Sequence, residues 1–247
     1  MRRFGLIGYP LTHSWSKMFF DEKFKKEGFT DCSYELFPRP DLAGFREWIS
    51  TQHDLYGLNV TIPHKISITA LLDEIDGDAI DIGAVNAIKI TWDSGKPRLK
   101  GFNTDAGGFR GSLPYPLNHR RALILGSGGA SRAVAKVLTD LEIQFKFVSR
   151  VPRIANSISY KALSDLEMSD STLIINTTPL GMFPETSAFP PIPYKQITSR
   201  HLLIDLVYNP GETLFLKKGK ERGAQTMNGL RMLQIQAGLT FRIFFSV

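Results

Sequence analysis

Apolar and polar positions alternate along the chain with two different periods. Short apolar runs predict strands at 4–7, 33–37 and 58–61, and amphipathic stretches predict helices over 14–26 and 64–74. Asp41 is expected to cap a further helix that runs to about Ser50. Residues 84–92 and 97–102 are expected to pair antiparallel through Ser94 and Gly95. This order of elements predicts an α/β layer structure.

The periodicity stops around residues 113–118, where Pro114 and Pro116 interrupt the chain. The alternation then resumes, with a helix expected over 130–141 and strands at 121–125, 144–149, 172–176 and 202–207. Short, wholly apolar strands that alternate with helices favour a parallel sheet covered on both faces. We therefore predict two α/β domains, the first of residues 1–104 completed by a returning C-terminal helix over 229–247, and the second of residues 105–228.

Composition restricts the class of protein. The 247 residues are 43% hydrophobic and 22% charged, which is ordinary for a globular protein. No stretch reaches the roughly 18 apolar residues of a membrane span, and the opening apolar run is too short for a secretory signal, so a cytoplasmic location and no membrane partner are expected. With Cys32 as the only cysteine, no internal disulfide and no thiolate metal cluster can form, and no metal is predicted.

The formal net charge of +6 would attract anions such as phosphorylated cofactors, carboxylate substrates or nucleic acid. Proteins that bind single-stranded nucleic acid interleave basic residues with aromatic ones. Here the basic residues are dispersed in short groups without such aromatic residues. We therefore expect a small-molecule substrate and no nucleic-acid partner.

A glycine-rich turn follows the expected strand at 121–125 and precedes the helix expected from Ala130. Strand, glycine turn and helix start together predict a Rossmann-type dinucleotide site. Gly126 permits the tight turn, and Gly128 lets the backbone approach a pyrophosphate that the helix amides bind. Ser131 stands where the pattern has Gly or Ala and is small enough for close helix packing. The expected cofactor-binding residues of this turn are Gly126, Ser127, Gly128, Gly129, Ala130 and Ser131.

The end of the following strand indicates which dinucleotide is bound. NAD-binding units place an acidic residue there, about 20 positions past the loop, to bind the ribose 2′-hydroxyl. Here Ser149 and Arg150 end the strand and Arg153 follows. A guanidinium can pair with a 2′-phosphate that an acid would repel, so these three residues predict NADP as cofactor, with Arg150 as the clamp.

Four polar blocks follow or precede strands of the first domain, where ligands bind in open α/β sheets. Each residue has a structural explanation on its own: Ser14 could cap a helix, Thr61 and Asn86 could satisfy turns, and Asp105 could cap a helix from Ala106. The blocks span 8–16, 59–65, 83–86 and 101–105.

Together with the glycine loop and the tail segments at 228–230, 232–233 and 236–237, these blocks resemble the shikimate dehydrogenase family, in family order over almost the whole chain. Members are two-domain enzymes that reduce 3-dehydroshikimate to shikimate with NADPH. The resemblance implies that residues 1–104 form the substrate-binding and catalytic domain and 105–228 the Rossmann-type NADP domain. After Gln236 eleven residues remain, fewer than the family's longer C-terminal segment, and residues 176–182 keep the family outline but differ in detail.

The resemblance also implies roles for individual residues. Lys65 becomes the catalytic residue and Asp105 its partner, while Ser14 and Ser16 bind the substrate carboxylate. The implied contacts to the substrate hydroxyls and ring come from Thr61, Asn86, Asp105 and Gln236, with Tyr208 closing the substrate site from the other domain and with Val207 and Gly229 near the nicotinamide. His13 and His64 are expected to have local structural roles.

This chemistry suits the residue types. Hydride delivery to a ketone leaves negative charge on its oxygen, which an ammonium group stabilises and protonates. Two other functions stay open at this stage. One is a quinate and shikimate dehydrogenase that accepts NAD, and the other is a non-catalytic NADP-binding sensor, against which the presence of both Lys65 and Asp105 argues. The oligomeric state is expected to be a monomer or homodimer.

Overall fold

The computed structural model describes residues 1–11 and 14–246. Contacts divide the chain into two compact units, one of residues 1–107 and 236–247 and the other of residues 108–235. The expected boundaries at 104/105 and 228/229 are thus displaced. Both crossings fall inside helices, Asp105–Ser112 and Leu230–Phe245, because each helix contributes residues to both units.

The first unit is built on a mixed six-stranded sheet. Three strands are parallel, and the hairpin that follows them runs antiparallel, as expected from its Ser94–Gly95 turn. The strand order is β2-β1-β3-β5-β6-β4. The strands are β1 (Arg2–Gly8), β2 (Cys32–Pro38), β3 (Leu55–Val60), β4 (Glu74–Ile75), β5 (Ala87–Asp93) and β6 (Lys96–Phe102).

Short helices cover this sheet. They are α1 (Trp15–Lys26), α2 (Phe45–Ser50), α3 (Gly77–Ile82) and the first residues of α4 (Asp105–Ser112). The C-terminal helix α8 (Leu230–Phe245) returns to this unit, as predicted, through an aromatic cluster. Phe244 stacks on Phe4 with ring centroids 5.1 Å apart, and it lies so close to Gly57 that a Cβ there would meet its ring at 2.6 Å. The aromatic rings therefore anchor α8 on the sheet.

The second unit contains a six-stranded sheet that is parallel throughout, as the wholly apolar strands predict. The order β12-β11-β10-β7-β8-β9 is the doubly wound order, in which successive strands are added on one side of β7 up to β9 and on its other side from β10 onward. Its strands are β7 (Arg121–Leu125), β8 (Gln144–Ser149), β9 (Ser157–Ser159), β10 (Leu173–Asn176), β11 (Leu202–Asp205) and β12 (Gln225–Met227), and its helices include α5 (Gly129–Asp140), α6 (Asp165–Asp170) and α7 (Leu214–Lys220).

Two expectations about the first unit were wrong. The helix expected over 64–74 is a 3-10 turn, Ser67–Leu71, followed by β4. The Thr69 hydroxyl donates to the carbonyl of Ile66, which competes with helical bonding, and Glu74 pairs with Lys100 of β6. Side-chain bonding and sheet pairing therefore override the apolar period.

Asp41 does not cap α2. Its carboxylate accepts from the Ala43 N–H at 2.9 Å, which closes a turn ahead of the helix. The helix instead begins after Gly44, whose positive φ of 62° sets the direction in which the chain enters the helix.

Candidate functional site

The described residues of the four polar blocks of the first unit lie at one edge of its sheet. The parallel strands β1 and β3 end there, at Gly8 and Val60. Because β5 is antiparallel to β3, with Ala87 opposite Asn59, it begins at that edge. Since β6 is antiparallel to β5, with Phe102 opposite Ala87, it ends there. Segments far apart in the sequence therefore converge without any long loop.

Lys65 and Asp105 form a close ion pair at this edge, with 2.5 Å between Nζ and Oδ2. The Asp105 side chain is 6% exposed and that of Lys65 is 17% exposed, so the carboxylate is buried and the ammonium is reachable. The other carboxylate oxygen of Asp105 accepts from the Asn86 side-chain amide at 2.8 Å. Asp105 is therefore fixed from two sides and orients Lys65 in turn.

Asn86 is itself held by the backbone around it. Its Oδ1 accepts from the Thr104 N–H at 2.7 Å. The preceding residue is fixed as well, since the Val85 N–H donates to the carbonyl of Lys65 at 2.8 Å. Backbone bonding thus links the block at 83–86 directly to the block that carries Lys65.

Gln236, on α8, completes this group of side chains. Its Oε1 accepts from the Thr104 hydroxyl at 3.2 Å and from the Asn86 amide at 3.4 Å. The oxygen of the Gln236 amide is therefore turned towards the protein, and its NH2 is the end that can donate to a ligand. The structure brings together four predicted residues, Lys65, Asn86, Asp105 and Gln236.

Sequence reasoning missed the buried polar residues behind this group. Thr240 is 0% exposed, and its hydroxyl lies 3.1 Å from that of Thr104 and 3.4 Å from the amide nitrogen of Asn59. The Asn59 oxygen accepts from the Tyr34 hydroxyl at 2.8 Å. One signal for Thr240 was available: it follows Gln236 by four residues and so shares its face of α8.

The two predicted carboxylate-binding serines flank the start of α1. Ser14 caps that helix through a 3.3 Å bond from the Lys17 N–H, so its structural explanation holds. Ser16 hydrogen-bonds to Tyr34, whose pKa is raised well above its usual value by burial, although that bond acts in the opposite direction. Thr12 and His13, which belong to the same block, lie outside the described residues.

Thr61 follows β3 and packs against the end of β1. Its N–H donates to the carbonyl of Ile7 at 3.0 Å, and a Cβ on Gly8 would meet its methyl group at 2.3 Å. Only glycine therefore fits beside Thr61. His64 is buried and its Nε2 lies 2.7 Å from the carbonyl of Arg39, a local structural role as expected.

The glycine turn of the second unit lies at the point where the strand order reverses. Gly126 has a φ of 118°, and a Cβ there would meet the hydroxyl of Thr177, which follows β10, at 2.6 Å. By contrast, a Cβ on Gly128 would meet no atom within 4 Å. Gly128 precedes the first turn of α5, whose N–H groups have no partner within the helix. Together these features form a cradle for an anion.

The remaining residues of the predicted nucleotide site differ in exposure. Ser127, like Arg150 and Arg153 beyond β8, is exposed, whereas Ser131 is fully buried and its hydroxyl donates to the carbonyl of Gly128 at 2.6 Å. The Ser131 side chain therefore serves helix packing. Ser149 is 7% exposed, and its Oγ has no hydrogen-bond partner within residues 1–11 and 14–246.

Val207 and Gly229 lie together in the second unit. The Gly229 N–H donates to the carbonyl of Val207 at 3.1 Å, and a Cβ on Gly229 would meet the carbonyl oxygen of Leu206 at 2.1 Å. The close approach of these segments requires glycine. Tyr208, next to Val207, is half-buried.

The part of the chain that the structure describes contains neither a cluster of metal-binding side chains nor a helix that could span a membrane. Across residues 1–11 and 14–246, His, Cys, Asp and Glu side chains form no group of three suited to a metal ion. None of the helices described there is both long and apolar enough to cross a bilayer.

A doubly wound nucleotide-binding unit and a separate α/β unit with a lysine–aspartate pair define a dehydrogenase-like class of protein. Residues 6–88 match the family model described as shikimate dehydrogenase substrate binding domain. A relative from Methanococcus maripaludis (strain C6), named shikimate dehydrogenase (NADP(+)), is 39% identical over 97% of this chain and 90% of its own. The chain belongs to the shikimate dehydrogenase family.

Solved structures agree with this membership. Shikimate 5-dehydrogenase from Thermus thermophilus, in complex with NADP(H) and shikimate, matches with a TM-score of 0.84 and 32% identity over 100% of this chain and 94% of that one. The enzyme from Listeria monocytogenes, in complex with shikimate and NAD, matches with a TM-score of 0.82 and 26% identity over 99% and 91%.

Proposed function

We propose that the protein is an NADP-dependent shikimate dehydrogenase, which reversibly reduces 3-dehydroshikimate to shikimate in aromatic amino acid biosynthesis. The observation that carries this proposal is the Lys65–Asp105 pair, held by Asn86 at the ligand-binding edge of the first unit. The name and bound ligands of the relatives support the same reaction.

Lys65 is the proton donor in reduction and the acceptor in oxidation. An ammonium group has three N–H donors, so Lys65 can hold Asp105 and the substrate oxygen at once. As the ketone becomes an alkoxide, the ammonium stabilises the charge and gives up a proton to that oxygen. Asp105 keeps the ammonium in place, and burial of the carboxylate strengthens the attraction between the two charges.

The substrate is bound by polar groups at the same edge. Ser14 and Ser16 bind the carboxylate, and Asn86 and Asp105 contact a ring hydroxyl. The Gln236 oxygen is occupied by Asn86 and Thr104, so Gln236 donates to the substrate from its NH2 group. Thr61 is a further proposed contributor at this edge, and Tyr208, a residue of the second unit, is the last proposed substrate-binding residue.

The second unit fits NADP. The open space at Gly128 and the N–H groups of the first turn of α5 suit a pyrophosphate. Arg150 and Arg153, with Ser149, would bind the 2′-phosphate, and Val207 and Gly229 the nicotinamide end. When bound, NADPH supplies the hydride.

The test is a spectrophotometric assay of NADP reduction with shikimate. Lys65→Ala is expected to lose roughly 10²- to 10⁴-fold in kcat with little change in shikimate affinity, because the proton donor is lost while the binding groups stay. Lys100→Ala is the matched control, since Lys100 also pairs with a carboxylate, that of Glu74, but outside the site. Unchanged turnover in Lys65→Ala would remove the catalytic role.

The same assay separates the alternatives. Parallel reactions with quinate and with NAD test the alternative of a quinate and shikimate dehydrogenase that accepts NAD. The complex of the Listeria relative with NAD is the reason to include NAD in this test. Binding of NADP without any turnover of shikimate would favour the sensor.

We also propose that the protein functions without nucleic acid, as a monomer or homodimer in the cytoplasm. The dispersed basic residues support the first point. Strongly salt-dependent binding to DNA would contradict it, and light scattering gives the oligomeric state.

A further inference from the structure

Asp205 is a buried carboxyl to which none of the steps above assigns a role. It ends β11, is 0% exposed and lies beside Asn176, its neighbour in register at the end of β10. Three donors reach it: the Asn176 side-chain amide at 2.9 Å and the Val207 N–H at 3.0 Å on Oδ1, and the Thr213 hydroxyl at 2.6 Å on Oδ2. The carboxyl is thus fully surrounded by donors.

Burying a carboxyl at this position costs the folded state free energy. Burial disfavours its ionised form and raises the pKa of Asp205 to about 6, against the opposing effect of the three hydrogen bonds. An apolar side chain would avoid that cost in an otherwise apolar sheet. The carboxyl is therefore better explained by what it holds than by stability.

Through its donors Asp205 holds two segments beside the glycine turn. The first is the loop 177–180: the Asn176 oxygen accepts from the Thr178 N–H at 3.1 Å and from its hydroxyl at 2.6 Å. In that loop, the Thr177 N–H donates to the carbonyl of Leu125, immediately before Gly126.

The second is the turn 206–207. The Leu206 N–H donates to the carbonyl of Asn176 at 2.9 Å, and the carbonyl of Val207 accepts from Gly229 at 3.1 Å. The loop and the turn follow β10 and β11, at the edge where the glycine turn lies.

We propose that Asp205 is a positioning residue for the cofactor: it fixes the loop 177–180 and the turn 206–207 in the arrangement that receives the nicotinamide end of NADP. This inference rests on the proposed function, because it assumes that the glycine turn binds NADP. Asp205 acts through Asn176 and the Val207 amide and does not itself touch the cofactor.

The hydrogen bonds separate an informative variant from a conservative one. In Asp205→Asn the amide oxygen can accept from Asn176 and Val207 as before, while its NH2 donates to the Thr213 hydroxyl, which can reverse its role. In Asp205→Ala, the Asn176 and Val207 donors lose their acceptor and the two segments lose their common anchor.

The experiment measures NADPH affinity by fluorescence and the KM for shikimate at saturating NADP. Asp205→Ala is expected to weaken NADPH binding on the order of tenfold with an unchanged shikimate KM, and Asp205→Asn to restore affinity. Thr213→Val is the matched control. It removes a hydrogen bond to the same carboxyl and should lower the unfolding temperature, yet the Thr213 hydroxyl bonds to neither segment, so NADPH affinity should stay unchanged.

A second variant covers the case in which Asp205→Ala does not fold. Thr178→Val removes the hydroxyl bond to Asn176 from the partly buried loop, and it should weaken NADPH binding in the same direction. Unchanged NADPH affinity in folded Asp205→Ala overturns this inference but not the proposed function. If Asp205→Ala does not fold, unchanged NADPH affinity in Thr178→Val has the same consequence. Absence of NADPH binding by the wild type overturns the inference and the proposed function together, and NADPH binding without shikimate turnover overturns only the function.

Discussion

The raised pKa of Asp205 makes a quantitative prediction about stability against pH. In the folded protein burial raises this pKa to about 6, from an ordinary value of 3.8. Between those values the folded state binds more protons than the unfolded state, so the free energy of unfolding falls as pH rises. The contribution of Asp205 is therefore complete below about pH 3.8 and is lost as pH rises through 6.

The size of the effect follows from the two pKa values, since each unit of difference corresponds to about 1.4 kcal/mol. The full loss is about 3 kcal/mol, of which about 2 kcal/mol falls between pH 4.5 and 7. Asp205→Asn does not titrate and should not show this loss. Any constant effect of the amide on packing shifts the curve without changing its slope.

The assay is urea unfolding of wild type and Asp205→Asn at several pH values. The stability of the variant relative to wild type should rise by about 2 kcal/mol from pH 4.5 to 7. Asp170→Asn is the control, because it neutralises an exposed carboxylate, paired with Arg121, on the same unit. Parallel curves for wild type and Asp205→Asn, or a difference of opposite sign, would refute the reasoning. Burial, with a smaller contribution from Asp205, raises the pKa of Tyr194 above its usual value, so Tyr194 stays protonated over this pH range.

Three further outcomes are expected. Thr240→Val removes a fully buried hydroxyl that lies between Asn59 and Thr104, and it should cost about 1–3 kcal/mol in unfolding and raise the KM for shikimate but not for NADP. Arg150→Ala should reduce the preference for NADP over NAD in steady-state kinetics, and a variant that still preferred NADP would exclude Arg150 as the clamp. Burial lowers the pKa of His119, so the free energy of unfolding should fall as pH drops below about 6.5. Between about pH 7 and pH 5, the unfolding temperature of His119→Gln should therefore fall less than that of wild type.

The glycine turn and the two elements beside it could be predicted in detail because their signals are local. The strand ending at Leu125, the glycine turn and the helix from Gly129 follow one another within a few residues, and each needs only its neighbours to be recognised. The positive φ of Gly126 and the open space at Gly128 are the features that the glycine pattern implies. Short elements such as β9 and β12 went unpredicted, since three residues give too little period to recognise.

The first unit was less predictable because its site is assembled by sheet topology. Asn86 and Thr104 bond across a hairpin, and Gln236 reaches them from the far end of the chain. A motif can suggest that such residues matter, but spacing along the sequence does not bring them together. The register between β3, β5 and β6 does so.

The two groups missed by sequence reasoning share a physical property. Tyr34 with Thr240, and Asn176 with Asp205, are fully buried polar side chains, and burial of such groups is costly unless they are paired. In the sequence Asp205 and Thr240 stand between apolar residues, and nothing in the spacing of Tyr34 or Asn176 shows that their polar groups are buried. In the structure Tyr34, Asn59 and Thr240 form a hydrogen-bonded row behind the edge where substrate binding is proposed, and Asn176 and Asp205 form another behind the edge where cofactor binding is proposed. Both rows fix the side chains or loops that would meet a ligand, so the positioning of each reactant depends on residues that do not touch it.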